Sequence, residues 1–438
     1  MAEATEKLVK IKEKVDVLKK KGGFRILEGI IDGVKGIREL NPKDEARRTA
    51  FLTDEDKKEK REQLKKELSL IKEILTQSED TNEIVEKCKE KYEQAAKVLQ
   101  ENLTEAFSNT KDLEKAYRAL DLFFKNSEEE SIRNLFIINV PVEEFKSAEN
   151  TELRESLNQH FKDKYDRFSL QDNYSLMVIP GYLGDNLEFW SKMAHKYQIT
   201  LVTDYKDEKD MESVEDSVEE KKLKGSDKHL SNTIITCNYG VVRKKIDGVE
   251  DDDMYLPMST ALAGKMYSGD GIQPSAGKKY GKLDGVLGTR IDLLRSKTDA
   301  IDKMGMIPII HEKQWGVVAM SDTTLAAESS DPDLKAIGVV RANDWIQKSI
   351  VDYLNGLTFQ TFDGNLAKEI KRSLRTYFEK ISGYGGLLES YSIDKVDKDP
   401  KNPQKVDISI RVKPYFATKH YVVDYTGTQG KFESEEQD

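Results

Sequence analysis

Apolar residues recur at every third or fourth position through the first 125 residues. Leu8, Ile11, Val15 and Leu18 are separated by lysines and glutamates, and Leu64, Leu68, Ile71 and Leu75 repeat the spacing further on. That period gathers each set on one face of a helix. Thr53 supplies an N-cap signal ahead of the second set. Between the two, glycines interrupt "GGFRILEGIIDGVKGIRELNP", and Asn41-Pro42 punctuates it. Two more helices are predicted over roughly residues 83–107 and 113–124. Their charged faces read as solvated. No stripe holds a heptad register over four repeats, so amphipathic helices are expected rather than a coiled coil.

The pattern then changes. "NLFIINV" (134–140) and "YSLMVIPG" (174–181) are compact apolar runs of strand length. A helical stretch follows over about 186–196, then the runs "ITLVTDY" (199–205) and "NTIITCNYGVV" (232–242). Continuous apolar strands alternating with a helix predict a parallel sheet covered on both faces. Asp204 to His229 is nearly all charge and reads as an exposed, mobile acidic insertion. Residues 254–294 are rich in glycine and turn residues. "MGMIPIIHEKQWGVVAM" gives two strands with Trp315-Gly316 between them, and 344–354 and 366–381 are amphipathic helices.

The chain closes on "ESYSIDKV", the turn "DKDPKNPQ", and two β-rich runs. In "KVDISIRV", Val406, Ile408, Ile410 and Val412 alternate strictly with Asp407, Ser409 and Arg411. His420 to Tyr425, with Tyr421 and Val423, follows shortly after. These runs predict a β meander whose edges either close within the chain or pair with another molecule. The expected organisation is a helical N-terminal region (1–125), an α/β domain (126–330) holding the insertion 204–229, and a C-terminal domain (331–438).

Composition narrows the function. Charged residues are 34% of the chain and hydrophobic ones 37%, and the net charge is -10. An acidic balance argues against nucleic acid as the main partner. Cys88 and Cys237 are the only cysteines and have no CxxC spacing, so neither a disulfide framework nor a cysteine metal site is expected. "MAEATEKLVKIKEKV" has no apolar stretch of signal type, and no run of about 18 apolar residues exists. The expectation is a cytoplasmic chain that does not insert into a membrane.

Candidate chemistry is sparse. "GIQPSAGKK" (271–279) resembles a phosphate loop, but five residues separate its glycines where four are required, and Lys279 stands where a hydroxyl would hold magnesium. "EDDD" (250–253) lacks the alternating spacing of a calcium loop. His160, His195, His229, His311 and His420 are scattered, with no HExxH, and there is no GxSxG elbow. His311 beside Glu312 leaves an acid–base pair open, and a crevice near Pro180-Gly181 is suggested by fold analogy alone. The expectation is no catalytic residue, no cofactor and no metal. An α/β enzyme with a crevice near Pro180 or Gly271, or a helical adaptor, stays open as an alternative.

From residue 257 the order of motifs resembles contractile-tail sheath proteins. Pro257, Ala263-Gly264, Pro274-Ser275-Ala276 and Leu283–Val286 occupy the places of that family's proline-led segment, Ala-Gly, Pro-Ser/Ala turn and Leu-x-Gly-Val. Gly305, Ile307, Gly316-Val317-Val318 and Thr323-Thr324 are in register with the next sheath element, and "VVRANDWIQKSI" (339–350) is similar to the strand-to-helix step after it. Within the family, the helical N-terminal region, "LEKAYRALDLFF" (113–124) and the closing "KPYF" resemble the large subunit of the type VI secretion sheath, the TssC/VipB kind. The acidic insertion and the N-terminal region depart from that pattern.

The resemblance implies a contractile-sheath core: an α/β fold with a mixed or parallel sheet flanked by helices, and C-terminal strands that pair with neighbouring subunits. On that reading Val406, Ile408, Ile410, Val412, Tyr421 and Val423 are the inter-subunit pairing residues. It implies a smaller sheath subunit (TssB/VipA-like) as heterodimer partner, further copies in six-fold helical rings, an inner-tube protein (Hcp-like) and a baseplate. It also implies an AAA+ unfoldase (ClpV-like) that recognises an N-terminal helix, for which Leu8, Ile11, Val15 and Leu18 are the candidates. The helices 344–354 and 366–381 belong to the domain expected to line the lumen.

Overall fold

The computed structural model of the chain describes residues 62, 66, 69, 81–127, 132, 134–147, 149–167, 169, 173–221, 223–269, 273–402, 404–419, 425–427 and 430–432. Leu8, Ile11, Val15, Leu18, Tyr421 and Val423 lie outside the described residues. The chain forms two compact units, residues 1–113 with 244–254 and residues 114–243 with 255–438.

In place of two helices, Thr81–Asn126 is one continuous helix, α1, of 46 residues. The stretch "SNTKD" between the predicted helices is polar, and such side chains compete with helical hydrogen bonding. Here the hydroxyls of Thr104 and Thr110 are absorbed by the helix itself, donating to the carbonyls of Gln100 (2.9 Å) and Ala106 (2.8 Å). Continuity has a consequence for register. Tyr92, Ala96, Leu99, Leu103, Ala106, Thr110, Leu113, Tyr117, Leu120 and Phe124 step alternately by four and three, so a heptad seam does persist once the break is removed. In the first unit, Gln100 donates to the Gly248 carbonyl (2.6 Å) and Lys111 pairs with Glu250 (3.7 Å).

The second unit is built on a five-stranded sheet. Its strands are β1 (Leu176–Val178), β2 (Thr200–Asp204), β3 (Thr233–Cys237), β7 (Ile307–Glu312) and β8 (Gly316–Ala319), adjacent in that order. β1, β2, β3 and β7 run parallel, and β8 returns antiparallel to β7. β2 and β3 are buried at every position, which is why their sequences read as unbroken apolar runs. Helices α2 (Thr151–Tyr165) and α3 (Leu187–Lys196) pack Leu157, Phe161, Trp190 and Met193 into the core with Ile199, Leu201 and Ile235. Asn238 adopts φ +90° and splits the predicted run 232–242 into β3 and β4 (Gly240–Arg243). β4 pairs antiparallel with β6 (Gly288–Thr289), and β5 is Met254–Leu256.

Three stretches differ from expectation. The run 134–140 joins no strand ladder. The acidic stretch 204–229 holds helix α4 (Met211–Lys221), with Tyr205, Met211 and Val214 buried in the main core. Residues 259–268 are helix α5, not a turn-rich connection. Seven of its ten residues are buried, so no amphipathic stripe betrays it. It crosses α1 closely: a Cβ on Gly264 would sit 2.3 Å from the Phe123 carbonyl oxygen.

After α6 (Arg295–Lys303), helix α7 (Ile337–Asn355) links two cores. Its first half is buried through Ile337, Val339, Val340 and Ala342. From Ile346 on it packs with Leu366, Ile370, Leu374 and Phe378 of α8 (Gly364–Ile381) and with Leu388 and Val396 of β9 (Leu388–Lys398). Asp363 caps α8, accepting from the backbone of Asn365 and Leu366. β10 (Val406–Pro414) pairs antiparallel with β9, and β11 (Tyr425–Gly427) pairs with β12 (Gly430–Phe432).

Candidate assembly surfaces

Val406, Ile408, Ile410 and Val412 project from β10 onto the α8–β9 core and are partly buried there. Asp407 and Arg411 between them carry charge. Arg411 bonds Asp394 across the strands (2.7 Å), Lys395 pairs with Asp407 (3.2 Å), and Lys413 pairs with Glu389. Hydrogen bonds from Lys405 and Lys395 hold the Asp407 carboxyl below the ordinary carboxylate range. β9 and β10 make a two-stranded sheet, so each keeps one edge without a strand among the described residues. Two register shifts, at Ser409/Ile410 and Lys413/Pro414, twist the ribbon. Beyond it the chain runs back to the body, where Lys419 meets Asp322 (3.1 Å) and Asp302 (3.3 Å). Those two carboxylates raise the ammonium's pKa although burial opposes them.

Helix α8 buries Leu366, Ile370, Leu374 and Phe378 and turns Lys368, Lys371, Arg372, Arg375 and Lys380 outward. Glu369 and Glu379 are the acids on that side, and no ion pair joins any of these five cations to the described residues. On a chain of net charge -10 this is an unusual concentration of free positive charge. The sequence holds the signal, since the cations fill the polar positions of the amphipathic stretch 366–381. Read only as an amphipathic helix, the stretch did not single them out.

On α1 the heptad seam is uncovered. Tyr92, Leu99, Leu113 and Tyr117 are 54%, 59%, 72% and 69% exposed. The neighbouring face docks on the body, through Leu122 (2% exposed) and through Glu114, which accepts from Arg118 (2.8 Å) and Arg243 (2.9 Å).

At the carboxyl ends of the parallel strands, where open α/β sheets hold ligands, the prominent acid is Asp204. It is wholly buried and accepts from the backbone N–H of Gly181 (2.9 Å), the Thr236 hydroxyl and the backbone N–H of Ser259 (2.8 Å) at the start of α5. Burial pushes its carboxyl above the ordinary range, against the pull of those donors. It ties β1, β3 and α5 together. A cavity of about 350 Å³ beside Pro180-Gly181 is lined by Lys146 and residues 182–186. Cys237 is buried, its thiol pushed up to about 12. His195 bonds Asn232 (2.7 Å), which donates to Asp344 (2.7 Å), and Lys348 donates to the carbonyls of Tyr174 (3.2 Å) and Gln198 (2.6 Å). This network fastens α7 to the amino ends of β1 and β2. His311 and Glu312 are exposed at the end of β7. Glu250 and Asp253 of the acidic turn are taken by Lys111 and Lys244. Among the described residues no three His, Cys, Asp or Glu side chains converge as a metal set, and no helix is long and apolar enough to cross a membrane.

Three family models match consecutive stretches of the chain: the TssC/VipB-like N-terminal region over residues 11–103, the type VI secretion system TssC/VipB central domain over 105–327, and the TssC/VipB-like C-terminal domain over 336–438. The chain belongs to the TssC/VipB family. A tail sheath protein of Vibrio phage KVP40 is 25% identical over 213 residues, 45% of this TssC/VipB chain and 31% of the phage protein. The chain thus spans about a third of that curated relative. Two solved structures share the fold. A chain of the six-fold symmetrised anti-feeding prophage baseplate superposes with a TM-score of 0.54 at 16% identity, covering 72% of this chain and 81% of that one. A chain of the PVC sheath complex, an extracellular contractile injection system in its contracted state, gives 0.50 at 12% identity with the same coverage. The mixed α/β architecture of this TssC/VipB chain is therefore that of contractile sheath proteins.

Proposed function

We propose that the chain is a structural subunit of a contractile sheath that assembles with a smaller sheath subunit around an inner tube and contracts to propel it during type VI secretion. The observation that carries this reading is family membership along nearly the whole chain, joined to a C-terminal ribbon whose two outer edges meet no strand among the described residues. Open strand edges recruit other chains, which is a hazard in a monomer and a joint in a polymer. On this reading the β9–β10 ribbon pairs with strands of neighbouring protomers, with Val406, Ile408, Ile410 and Val412 anchoring it on its own core while its edges bind outward. The Lys419 contact fixes where the chain leaves the body. Six-fold rings stack on a baseplate in the bacterial cytoplasm as part of a membrane-anchored apparatus.

Contraction on this reading needs no active site. The extended sheath is a metastable packing, and the α/β bodies rotate as rigid units into a lower-energy one while the strand ribbons keep neighbours joined. The polar fastening of α7 and the buried tie at Asp204 suit a body that moves without deforming. The basic face of α8 suits weak, screened contacts to an acidic inner tube. The stripe on α1 suits a helix of the smaller subunit. An unfoldase that recycles contracted sheath would bind the segment of Leu8, Ile11, Val15 and Leu18.

Co-expression with the smaller subunit tests the reading. Long tubes are expected by negative-stain microscopy, and deletion of Val406 to Tyr425 is expected to abolish them. Intact tubes from the truncated chain would remove the ribbon's assigned role.

A further inference from the structure

Helix α7 lines a cavity of about 500 Å³ at the amino ends of β1 and β2 with a strip of polar side chains. Arg341, Trp345 and Lys348 face it at helical spacing, and Tyr174 and Tyr267 stand in its other walls. Its two cations are not equivalent. Lys348 is committed: it donates to the Tyr174 and Gln198 carbonyls and has Asp344 beside it. Asp344 in turn accepts from Asn232. Arg341 has one partner among the described residues, the Met266 carbonyl near the end of α5 (2.9 Å). That bond leaves most of the guanidinium fork without an acceptor. Burial pushes the group down to about 10, and no neighbouring carboxylate opposes the fall. Asp352, the other acid of the lining, stands about three turns along α7, roughly 16 Å from Arg341. Asn173 in the same wall has an amide nitrogen buried without an acceptor among the described residues.

A charge drawn out of water is normally paired. The bland account is that Arg341 caps the last carbonyls of α5 and otherwise faces solvent. That account occupies one arm of the fork, and a neutral donor would serve it equally. It also gives no role to Trp345, one turn on from Arg341 and 50% exposed, or to Tyr267 next to Met266. Arg, Trp and Tyr together are the composition of interface hot spots. The group that matches a guanidinium fork is a carboxylate, which takes two parallel bonds from it. Asp344 and Asp352 in the same lining disfavour a more highly charged anion such as a phosphate. The aromatic walls suit a carboxylate carried on a short aliphatic stem.

We propose that this cavity receives an Asp or Glu side chain projected by a neighbouring polypeptide, with Arg341 forking the carboxylate and Trp345 covering its stem. The source rests on the sheath reading, in which each subunit is packed among others. Copies of a chain with a net charge of -10 present carboxylates to one another readily. The cavity is then a second joint, on the body of the subunit and separate from the C-terminal ribbon.

Arg341→Gln keeps a donor for the Met266 carbonyl and removes the charge. Its Tm should stay within about 2 °C of the unaltered chain. The concentration needed for tube formation with the smaller subunit should rise about 10- to 100-fold. Unchanged tube formation would overturn the proposal, whatever happens to Tm, and leave Arg341 as a cap of α5. A density map of unaltered tubes at side-chain detail gives the direct reading. An Asp or Glu oxygen of another subunit within about 3.2 Å of the guanidinium supports the proposal, and a cavity holding solvent alone overturns it. If the unaltered pair forms no tubes, the sheath reading fails, and the cavity is judged on the chain alone by titration with N-acetylglutamate amide. Trp345 fluorescence should then change saturably with a Kd of about 1–10 mM, and the glutamine analogue should leave it unmoved. A response to both probes or to neither would overturn the carboxylate site.

Discussion

Replacing Leu99 and Leu113 with alanine separates folding from assembly. Both lie on the α1 seam, 59% and 72% exposed. Burying a whole leucine side chain is worth roughly 1.5–3 kcal/mol. The two side chains together present a little more than one leucine's apolar surface, and alanine keeps part of it. Truncation should therefore cost a helix docked on the seam about 1.5–3 kcal/mol, roughly a 10- to 150-fold rise in Kd. The free chain should barely notice. Exposed substitutions of this kind stay within about 0.5 kcal/mol, and alanine is the better helix former. Calorimetric titration of the double variant with the smaller subunit measures the first quantity, and thermal unfolding measures the second. Unchanged affinity with unchanged Tm would show that no partner covers the seam. A Tm loss of many degrees would show that it already packs within the chain.

Gly264→Ala pushes a methyl against the Phe123 carbonyl, a backbone atom 2.3 Å away. It should cost about 1–3 kcal/mol and lower Tm by roughly 2–10 °C in a calorimetric scan. In a Cys88→Ser background, Cys237 should resist Ellman's reagent at pH 8 until the chain is unfolded, because its thiol is buried and pushed up to about 12. Burial lowers Lys348 to about 8, so between pH 8 and its ordinary value near 10.5 the unfolded chain binds more protons than the folded one. Stability should rise with pH across that window, and Lys348→Met should flatten the rise in denaturant titrations. Lys371→Glu with Arg375→Glu should leave Tm unchanged and weaken binding to purified inner tube, with the wild-type affinity falling as salt rises; salt-independent binding would exclude the basic face as the contact.

Much of the fold was legible because two periods are strong in this sequence. The alternation over 406–412 and the unbroken apolar runs at 199–205 and 233–237 mark strands, while the stripe over 366–381 marks α8 almost to its ends. The failures share a cause. α5 is buried around its circumference and carries no stripe, so "STALAGKMYS" looked like a connection. α1 reads as two helices because the polar stretch "SNTKD" interrupts its apolar positions, and only the folded helix shows Thr110 bonding back to the Ala106 carbonyl. That break also hid the heptad seam. The surfaces were legible only in part. β10's alternation was visible, but the free cations of α8 and the bare face of α1 are statements about what does not pack, which periodicity alone does not contain.

The sequence by itself determined the local geometry and the family: period fixes which residues share a face, and ordered motifs fix the kinship. Tertiary structure alone decided which faces the chain covers for itself. Leu122 and Leu113 sit on one helix with identical side chains, yet one is 2% exposed and the other 72%. Only the packing of distant segments such as Asn126 against Asp284 brings partners to the first and none to the second. Burial is a property of long-range contacts, and long-range contacts are set by the fold as a whole.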